Sequence, residues 1–364
     1  MIKIACVTKN LGANGITNVV MNYGTRIDKS RFALTIITGV PVESIYRDRL
    51  RKENIDVVKL SHKGKNPAAY YQKLWKELKN GYDIIHIHGN SATITVELLL
   101  AKLAGIKVRV AHCHNVTCDH KTIHRMFQPM LQKLYTYGFA CSDAAGKWMF
   151  GNSPFEVLPN AFQTEKFIFQ EEMRERVRES LGIADKYVVG NIAGFNDQKN
   201  HEYLLKVFEK VAAQREDVVL LLAGNGPNLE RINKKIKEHS YRDRIIYYGV
   251  TDKVEELYAA MDVFVLPTKY EGLGIVFIEA QINGLPVVTS NRVPCEVNIA
   301  DRTVFLPLDN NVSAWSEAIL SAPQIEREPF YLGHKDSIDK YDISKCLYHL
   351  ESKYEELIKG KNIY

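Results

Sequence analysis

Short apolar runs alternate along this chain with longer stretches in which apolar residues recur at helical spacing. An alternation of strand and helix of this kind is typical of a parallel, doubly wound α/β sheet. In the first half the pattern predicts helices at 66–79 and 92–104 and strands at 2–8, 32–38, 55–60, 83–88 and 107–111. In the second half it predicts strands at 187–193, 218–223, 244–249, 262–267, 285–289 and 303–306. A final amphipathic helix is predicted at 343–358.

The length of 364 residues favours two domains over one. The chain is too polar after Val7 for a signal peptide, and no apolar run approaches the roughly 18 residues of a membrane span. The six cysteines form no C-x-x-C pair, which is usual in a reducing compartment. We therefore expect a cytoplasmic protein.

Positive charge is concentrated in the first half of the chain. Residues 1–165 carry 22 lysines and arginines against 12 acidic residues, a net of +10, whereas the remainder carries 26 against 31, a net of −5. Basic runs interleaved with aromatic residues are missing from the sequence, so we expect no nucleic-acid partner. The asymmetry favours an anionic membrane surface or a phosphate-bearing acceptor over a merely solvated basic face.

The stretch 270–290, which reads YEGLGIVFIEAQINGLPVVTS, links two predicted strands through a glycine loop and a helix. A helix that begins near Gly274 directs N–H groups toward the carboxyl ends of the strands, where such sheets bind ligands. Phosphate is a usual ligand of this position. Glu271 would lie on the loop, and Glu279 could face the same side at a distance that suits ribose hydroxyls. The alternative is a loop carboxylate and a solvated helix residue.

This block resembles the E-x7-E signature of retaining family 4 glycosyltransferases, which have the GT-B fold of two facing Rossmann-like domains with a cleft between them. The resemblance implies that Glu271 contacts the donor sugar. It implies that the amides of Gly272, Leu273 and Gly274 contact the sugar and the diphosphate, and that Glu279 holds the ribose.

The resemblance covers nearly the whole chain and is nearest to the capsule and exopolysaccharide members of family 4. It implies an acceptor-side domain at 1–165 and a nucleotide-sugar domain at 166–342. The final helix at 343–358 is expected to return to the first domain.

Further donor contacts are implied at strand ends, by Gly224 and Val250 in the second domain and by His114 in the first. In the family, a loop with two adjacent glycines lets the backbone approach the donor phosphate and the acceptor, and here Asn14 takes the first place and Gly15 the second. Because asparagine tolerates unusual backbone angles, we regard this departure as mild. The spacing of this loop does not match the G-x-G-x-x-G dinucleotide fingerprint, which weakens a dehydrogenase interpretation.

The diphosphate clamp departs from the family pattern, in which an arginine and a lysine five residues later grip the diphosphate. Lys199 is present, but Gly194 takes the place of the arginine. No D-x-D motif occurs in the sequence, so we expect neither a bound metal nor another cofactor. The resemblance thus implies Lys199, Glu271 and His114 as the catalytic residues.

Residues 112–124, HCHNVTCDHKTIH, are rich in metal-binding side chains, but their spacing matches no standard zinc site. His86 and His88 end a predicted strand, where packing in the sheet is the expected role. Residues 123–137 form an amphipathic stretch with a basic side, which predicts a helix that faces the core or contacts a membrane or lipid acceptor.

Together these features predict a retaining hexosyltransferase that uses a nucleotide diphosphate sugar, expected to be UDP-linked. Its acceptor would be a glycan or lipid-linked saccharide in capsule or exopolysaccharide synthesis, and an anionic membrane surface is a further expected partner. Two alternatives stay open at this point. One is a nucleotide-sugar-binding protein with reduced or lost catalysis, which the missing arginine suggests, and the other is a GT-B sugar-nucleotide epimerase.

Overall fold

The computed structural model describes residues 1–12, 14–309, 311–323, 327 and 330–360. The chain divides into two compact units, one formed by Met1–Phe162 with Lys340–Tyr364 and the other by Gln163–Asp339. The predicted boundaries after 165 and 342 lie three residues beyond the observed ones. The helix predicted at 343–358 belongs to the first unit, as expected.

The first unit contains a seven-stranded parallel sheet in the order β3-β2-β1-β4-β5-β6-β7. Its strands are β1 (Ile2–Thr8), β2 (Phe32–Thr38), β3 (Asp56–Lys59), β4 (Ile84–Gly89), β5 (Val108–Cys113), β6 (Tyr137–Ala140) and β7 (Glu156–Val157). Its helices are α1 (Gly15–Gly24), α2 (Ser44–Lys52), α3 (Pro67–Leu78), α4 (Thr95–Leu103), α5 (Lys121–Leu134) and α6 (Asp143–Phe150), together with the final helix α15 (Ile343–Ile358).

Helix α15 packs on the first sheet through an apolar face that shares one core with α1 and the central strands. Leu350 and Tyr354 are buried in that core. Arg31 adds ion pairs to Glu351 at 3.1 Å and to Glu355 at 2.6 Å. Burial of several large side chains at about 1.5 to 3 kcal/mol each outweighs these partly exposed pairs, so packing fixes this helix.

The second unit contains a six-stranded parallel sheet in the order β10-β9-β8-β11-β12-β13. Its strands are β8 (Tyr187–Ile192), β9 (Val218–Ala223), β10 (Ile245–Gly249), β11 (Val263–Leu266), β12 (Val287–Ser290) and β13 (Thr303–Leu306). Its helices are α7 (Glu171–Leu181), α8 (His201–Ala212), α9 (Leu229–Glu238), α10 (Val254–Ala260), α11 (Ile275–Ile282), α12 (Val312–Leu320), α13 (Phe330–Gly333) and α14 (Lys335–Asp339).

The central strands β8, β9, β11 and β12 are buried along their whole length, because helices cover both faces of the sheet. The strand order reverses between β1 and β4 in the first unit and between β8 and β11 in the second. Each reversal opens a crevice at the carboxyl ends of the two strands, where doubly wound sheets bind ligands.

The prediction of a helix over the amphipathic stretch 123–137 is partly wrong. Helix α5 ends at Leu134, and Tyr137 begins the buried strand β6, which pairs with β5. Helix α5 leaves Met126 73% and Met130 48% exposed while burying Leu131 and Leu134. Every helix in the described residues is too short or too polar to cross a lipid bilayer.

Candidate functional site

The crevice between β8 and β11 brings Lys199 and Glu271 together. Lys199 lies on the loop that follows β8, and Glu271 lies on the loop that follows β11. The Lys199 Nζ atom is 2.5 Å from Glu271 Oε1, and the Glu271 side chain is largely buried. These two predicted catalytic residues, 72 positions apart in the sequence, therefore form one ion pair at the switch point of the sheet.

Two neighbouring side chains hold the Glu271 carboxylate in place. Thr268 Oγ1 donates to Glu271 Oε1 at 2.9 Å, and Gln198 Nε2 donates to Oε2 at 3.3 Å. The backbone N–H of Lys269 also donates to the carbonyl of Gln198 at 2.7 Å, which ties the two loops together. A carboxylate with donors on both oxygens is fixed in one orientation before a ligand arrives.

Gly274 gives helix α11 its start at the same crevice. It is the N-cap residue and has φ +91°, a left-handed conformation that glycine adopts without strain. A Cβ atom at this position would lie 2.6 Å from the ring of Phe277. Gly272 and Leu273 precede it as a buried turn, so backbone rather than side chains faces the beginning of the helix. The positive end of the α11 dipole therefore lies beside the loop that carries Glu271.

Glu279 lies on α11 and is partly buried. Tyr258, on the neighbouring helix α10, donates a hydrogen bond from its hydroxyl to Glu279 Oε2 at 2.8 Å. Burial raises the pKa of Glu279 to about 7, although the bond from Tyr258 acts in the opposite direction. Within the described residues no donor meets Oε1, so this oxygen can accept a hydrogen bond from a ligand.

Gly224 and Val250 lie on the loops that follow β9 and β10. The Gly224 N–H donates to the Gly249 carbonyl at 2.8 Å, so the two loops lie side by side. Gly224 has φ +133°, and a Cβ there would come within 2.0 Å of the Ala193 carbonyl oxygen. Val250 is 70% exposed. Of these two predicted donor contacts, Val250 thus lies on an exposed turn, and Gly224 occupies a position that only glycine fits.

Gly194, in contrast, is not constrained to be glycine. Its φ lies outside the left-handed region, and a Cβ would make ordinary contacts, 3.5 Å from Asn196 Nδ2 and 3.8 Å from the Asn225 carbonyl. A Cβ atom can therefore be accommodated here in ordinary van der Waals contact. At the Cβ atom, the structure shows no clash that would keep an arginine out of this position.

In the first unit, Asn14 and Gly15 lie at the amino end of α1. Asn14 has an ordinary extended backbone, φ −149°, and its side chain accepts a hydrogen bond from the Thr17 N–H at 3.0 Å. We expected asparagine to be accepted here because it tolerates unusual backbone angles, but Asn14 has ordinary angles and acts as the N-cap of α1. Gly15 is exposed, and no atom lies within 4 Å of the place where its Cβ would be. The space beside it is open to a ligand.

His114 follows β5 and is almost completely buried, at 7% exposure. Its Nδ1 pairs with Asn160 Oδ1 at 3.0 Å, and its Nε2 pairs with His88 Nδ1 at 2.9 Å. Burial lowers the pKa of His114 to about 4, against the effect of the bond to Asn160. Both ring nitrogens are thus occupied by protein, and a neutral His114 would have to release one partner in order to reach a donor sugar.

His86, His88 and His112 complete a buried group of histidines with His114. His86 bonds to the Tyr354 hydroxyl at 2.5 Å and to His112 at 3.1 Å. One nitrogen from each of His86, His88 and His112 lies within 4.8 Å of the others, which is the spacing of a possible metal site. The rings of His86 and His88, however, stack at 4.4 Å and 9°. Stacked rings do not converge on one point as tetrahedral ligands do, so a hydrogen-bonded ladder describes them better.

The other metal-binding side chains of residues 112–124 do not join this ladder. His124 accepts a hydrogen bond from the Ala92 N–H at 3.0 Å and stacks on Trp148 at 4.2 Å. His120 is exposed at the start of α5. His120 and His124 therefore lie apart from the ladder, and His124 packs as a core residue.

Two family models match the chain, and together they span most of it. The one described as Glycosyltransferase Family 4 matches residues 13–166, and the one described as Glycosyl transferases group 1 matches residues 173–332. The chain belongs to glycosyltransferase family 4. The first matched region lies in the first compact unit except for its last four residues, and the second lies wholly in the second unit.

Relatives of this family 4 glycosyltransferase include EpsF of Bacillus subtilis (strain 168), which is assigned as a glycosyltransferase. The two are 28% identical over 336 residues, which are 88% of this chain and 87% of EpsF. An Escherichia coli protein named UDP-Gal:alpha-D-GlcNAc-diphosphoundecaprenol alpha-1,3-galactosyltransferase is 24% identical over 318 residues, 80% of this chain and 79% of its own. The crystal structure of Anabaena HepE in complex with UDP and glucose has TM-score 0.82 and 15% identity, and covers 98% of this chain and 100% of its own. This likeness shows the GT-B fold.

Several side chains of the family 4 site were not anticipated from the sequence. Thr268, Gln198 and Tyr258 each hold a predicted glutamate, and Asn160 holds His114. Thr268 and Gln198 adjoin predicted positions, so a search for hydrogen-bonding residues beside them would have found both. Tyr258 and Asn160 come from distant parts of the chain and carry no such signal.

Proposed function

We propose that this family 4 enzyme transfers a hexosyl residue from a UDP-sugar to a glycan or a lipid-linked saccharide, with retention of the anomeric configuration. The observation that carries the proposal is the Lys199–Glu271 pair beside the start of α11. Lys199 would bind a phosphate and Glu271 would bind a sugar. Because the two side chains are in contact, they suit a ligand whose sugar is bonded directly to a phosphate. The scissile bond of a nucleotide sugar joins those two groups.

The electrostatics of the pair suggest how the residues act. Cleavage leaves negative charge on the diphosphate, and Lys199 and the amino end of α11 stabilise that charge in the transition state. Glu271, held by Thr268 and Gln198, orients the sugar through its hydroxyls. The proposal assigns no covalent nucleophile and no metal, because Lys199 and the helix supply the positive charge at the phosphates.

The nature of donor and acceptor is inferred from relatives. The name of the Escherichia coli relative gives a UDP-linked donor and a diphosphoundecaprenol-linked acceptor, and HepE was crystallised with UDP and glucose. By analogy we assign this chain a UDP-sugar and a saccharide that is carried on a lipid or a growing glycan, within capsule or exopolysaccharide synthesis.

A screen of nucleotide sugars tests the donor assignment. Thermal stabilisation and slow hydrolysis would be measured with UDP-, GDP-, dTDP- and ADP-linked hexoses at equal concentration. The proposal expects the largest stabilisation and detectable hydrolysis from a UDP-sugar. A clear preference for another base contradicts the UDP assignment, and release of an epimerised nucleotide sugar without acceptor would indicate an epimerase.

The second candidate, a nucleotide-sugar-binding protein with little catalysis, rests on Gly194. We predict that Gly194→Arg raises the single-turnover rate at saturating donor by about tenfold to a hundredfold, because a second cation adds to the charge stabilisation of the diphosphate. Gly194→Ala is the matched control and should leave the rate unchanged. Equal rates for the arginine variant and the wild type would show that this position does not face the diphosphate.

We also propose a peripheral association of the first unit with anionic membranes. Helix α5 presents the exposed Met126 and Met130 beside the basic residues Arg125 and Lys133. We predict cosedimentation with phosphatidylglycerol vesicles that weakens as salt shortens the Debye length below about 8 Å. Met126→Ser with Met130→Ser should reduce it. Equal binding to phosphatidylcholine vesicles would contradict an electrostatic attraction.

A further inference from the structure

The second unit contains a pocket of about 770 Å³ beside the donor site, lined on one side by helix α8 and on the other by three loops. Tyr203, Lys206 and Lys210 lie on the α8 side, at a spacing that places them on one face of the helix. Lys269, Arg292 and Asp309 lie on the loops that follow the neighbouring strands β11, β12 and β13. This volume lies within the range of about 300 to 1,000 Å³ that is usual for small-molecule binding sites.

Four of the lining side chains are cationic and exposed: Lys206, Lys210, Lys269 and Arg292. None of the four forms a salt bridge within the part of the chain that the structure describes. Elsewhere on this unit, exposed basic residues do pair, as Arg231 does with Asp197 and Glu202. A group of unpaired cations around one concave surface favours a negatively charged ligand.

Two carboxylates, Glu209 and Asp309, also line the pocket. They would repel a ligand made only of phosphates, but carboxylate oxygens are good acceptors for hydroxyl groups. The Tyr203 hydroxyl is buried without a partner in the described structure and adds a further polar group. The lining thus matches a ligand that carries both negative charges and many hydroxyls.

We propose that this pocket binds an acidic saccharide, one that carries carboxylate or phosphate groups on its sugars. The inference rests on the proposed glycosyltransferase function and names the class of glycan that this pocket would hold, as a contact additional to the acceptor side expected at 1–165. The pocket adjoins the donor site through the chain itself, since Asn200 follows Lys199 and Lys269 precedes Glu271 by two positions. A glycan held there lies beside the loops that carry the donor-site residues.

The test is calorimetric titration of the full chain with a tetrasaccharide of alternating glucuronate and N-acetylglucosamine, at low salt. We expect binding that Lys206→Gln with Lys210→Gln weakens by about fivefold to thirtyfold, because two exposed ion pairs are lost. Lys234→Gln with Lys237→Gln, on the exposed face of α9, removes the same charge and should change the affinity less than twofold. Neutral chitotetraose should bind much more weakly than the acidic tetrasaccharide.

Equal losses in both double variants, or equal binding of the neutral tetrasaccharide, would overturn the proposal. Inorganic pyrophosphate that binds the pocket when the acidic tetrasaccharide does not would overturn the saccharide assignment. UDP-glucose is titrated in parallel with all variants and should bind with unchanged affinity. If the wild type binds UDP-glucose but not the tetrasaccharide, the pocket is not a saccharide site and the proposed transferase function is unaffected. If the wild type does not bind UDP-glucose, the UDP-sugar assignment itself is wrong.

Discussion

Lys199→Ala is expected to lower the single-turnover rate of sugar transfer by about a hundredfold to a thousandfold at saturating donor. Lys199 is the predicted cation of the diphosphate clamp, and Gly194 offers no second charge in the place where the family has an arginine. The remaining electrostatic stabilisation would come from the start of α11. Dependence on this one lysine should therefore be stronger than in an enzyme with both cations.

The Lys199→Ala variant also leaves Glu271 without its ion-pair partner, so its folding must be measured with its rate. Thr268 and Gln198 still donate to the carboxylate, and we expect a loss of stability of about 1 to 3 kcal/mol. Lys234→Ala, which removes an exposed lysine of the same unit, is the control. A folded Lys199→Ala variant that transfers sugar at the wild-type rate would show that the clamp has been misplaced.

Glu279→Ala is expected to weaken UDP-glucose binding by about tenfold to a hundredfold, or roughly 1.5 to 3 kcal/mol. The ionised carboxylate accepts hydrogen bonds from two ribose hydroxyls in the proposed complex, and Oε1 is available for them. Calorimetric titration measures the affinity, and a melting curve shows whether the fold is intact. Glu238→Ala, an exposed carboxylate at the end of α9, is the control. An unchanged affinity in a folded Glu279 variant would remove this residue from the site.

The raised pKa of Glu279 gives this binding a pH dependence. Because the pKa is about 7 and the ionised form accepts the ribose hydrogen bonds, affinity should be full above pH 8 and should fall as pH drops through 7. UDP-glucose suits the titration, since its esterified diphosphate takes up no proton in this range. Glu279→Gln should bind weakly at every pH, and a wild-type affinity that is constant from pH 5.5 to 8.5 would argue against ribose contact.

Much of the fold could be predicted because buried parallel strands appear in the sequence as short apolar runs. The predicted strands at 2–8, 32–38, 218–223 and 303–306 have the observed bounds. Strand β6 was missed because it follows an amphipathic helix so closely that its first residue, Tyr137, extends the helical pattern. A strand this short is defined by its hydrogen bonds to the neighbouring strand β5. The pattern of apolar residues along the sequence carries no information about that pairing.

The candidate site could be predicted as far as local sequence determines it. The glycine loop, the start of α11 at Gly274 and the positions of Glu271 and Glu279 all lie within one continuous stretch. The pairing of Lys199 with Glu271, the bond from Tyr258 to Glu279 and the engagement of both nitrogens of His114 depend on distant residues. Those contacts arise from tertiary packing, so only the structure reveals them.

We propose that this chain transfers sugar from a nucleotide donor at the Lys199–Glu271 pair with retention. The most direct measurement is proton NMR of a reaction that contains the UDP-sugar selected by the screen and a lipid-linked saccharide acceptor. We expect UDP and a glycosylated acceptor to form together, and the anomeric proton of the transferred sugar to show the α configuration of the donor. Donor that is bound but unchanged in the presence of acceptor, or a product of β configuration, would contradict it.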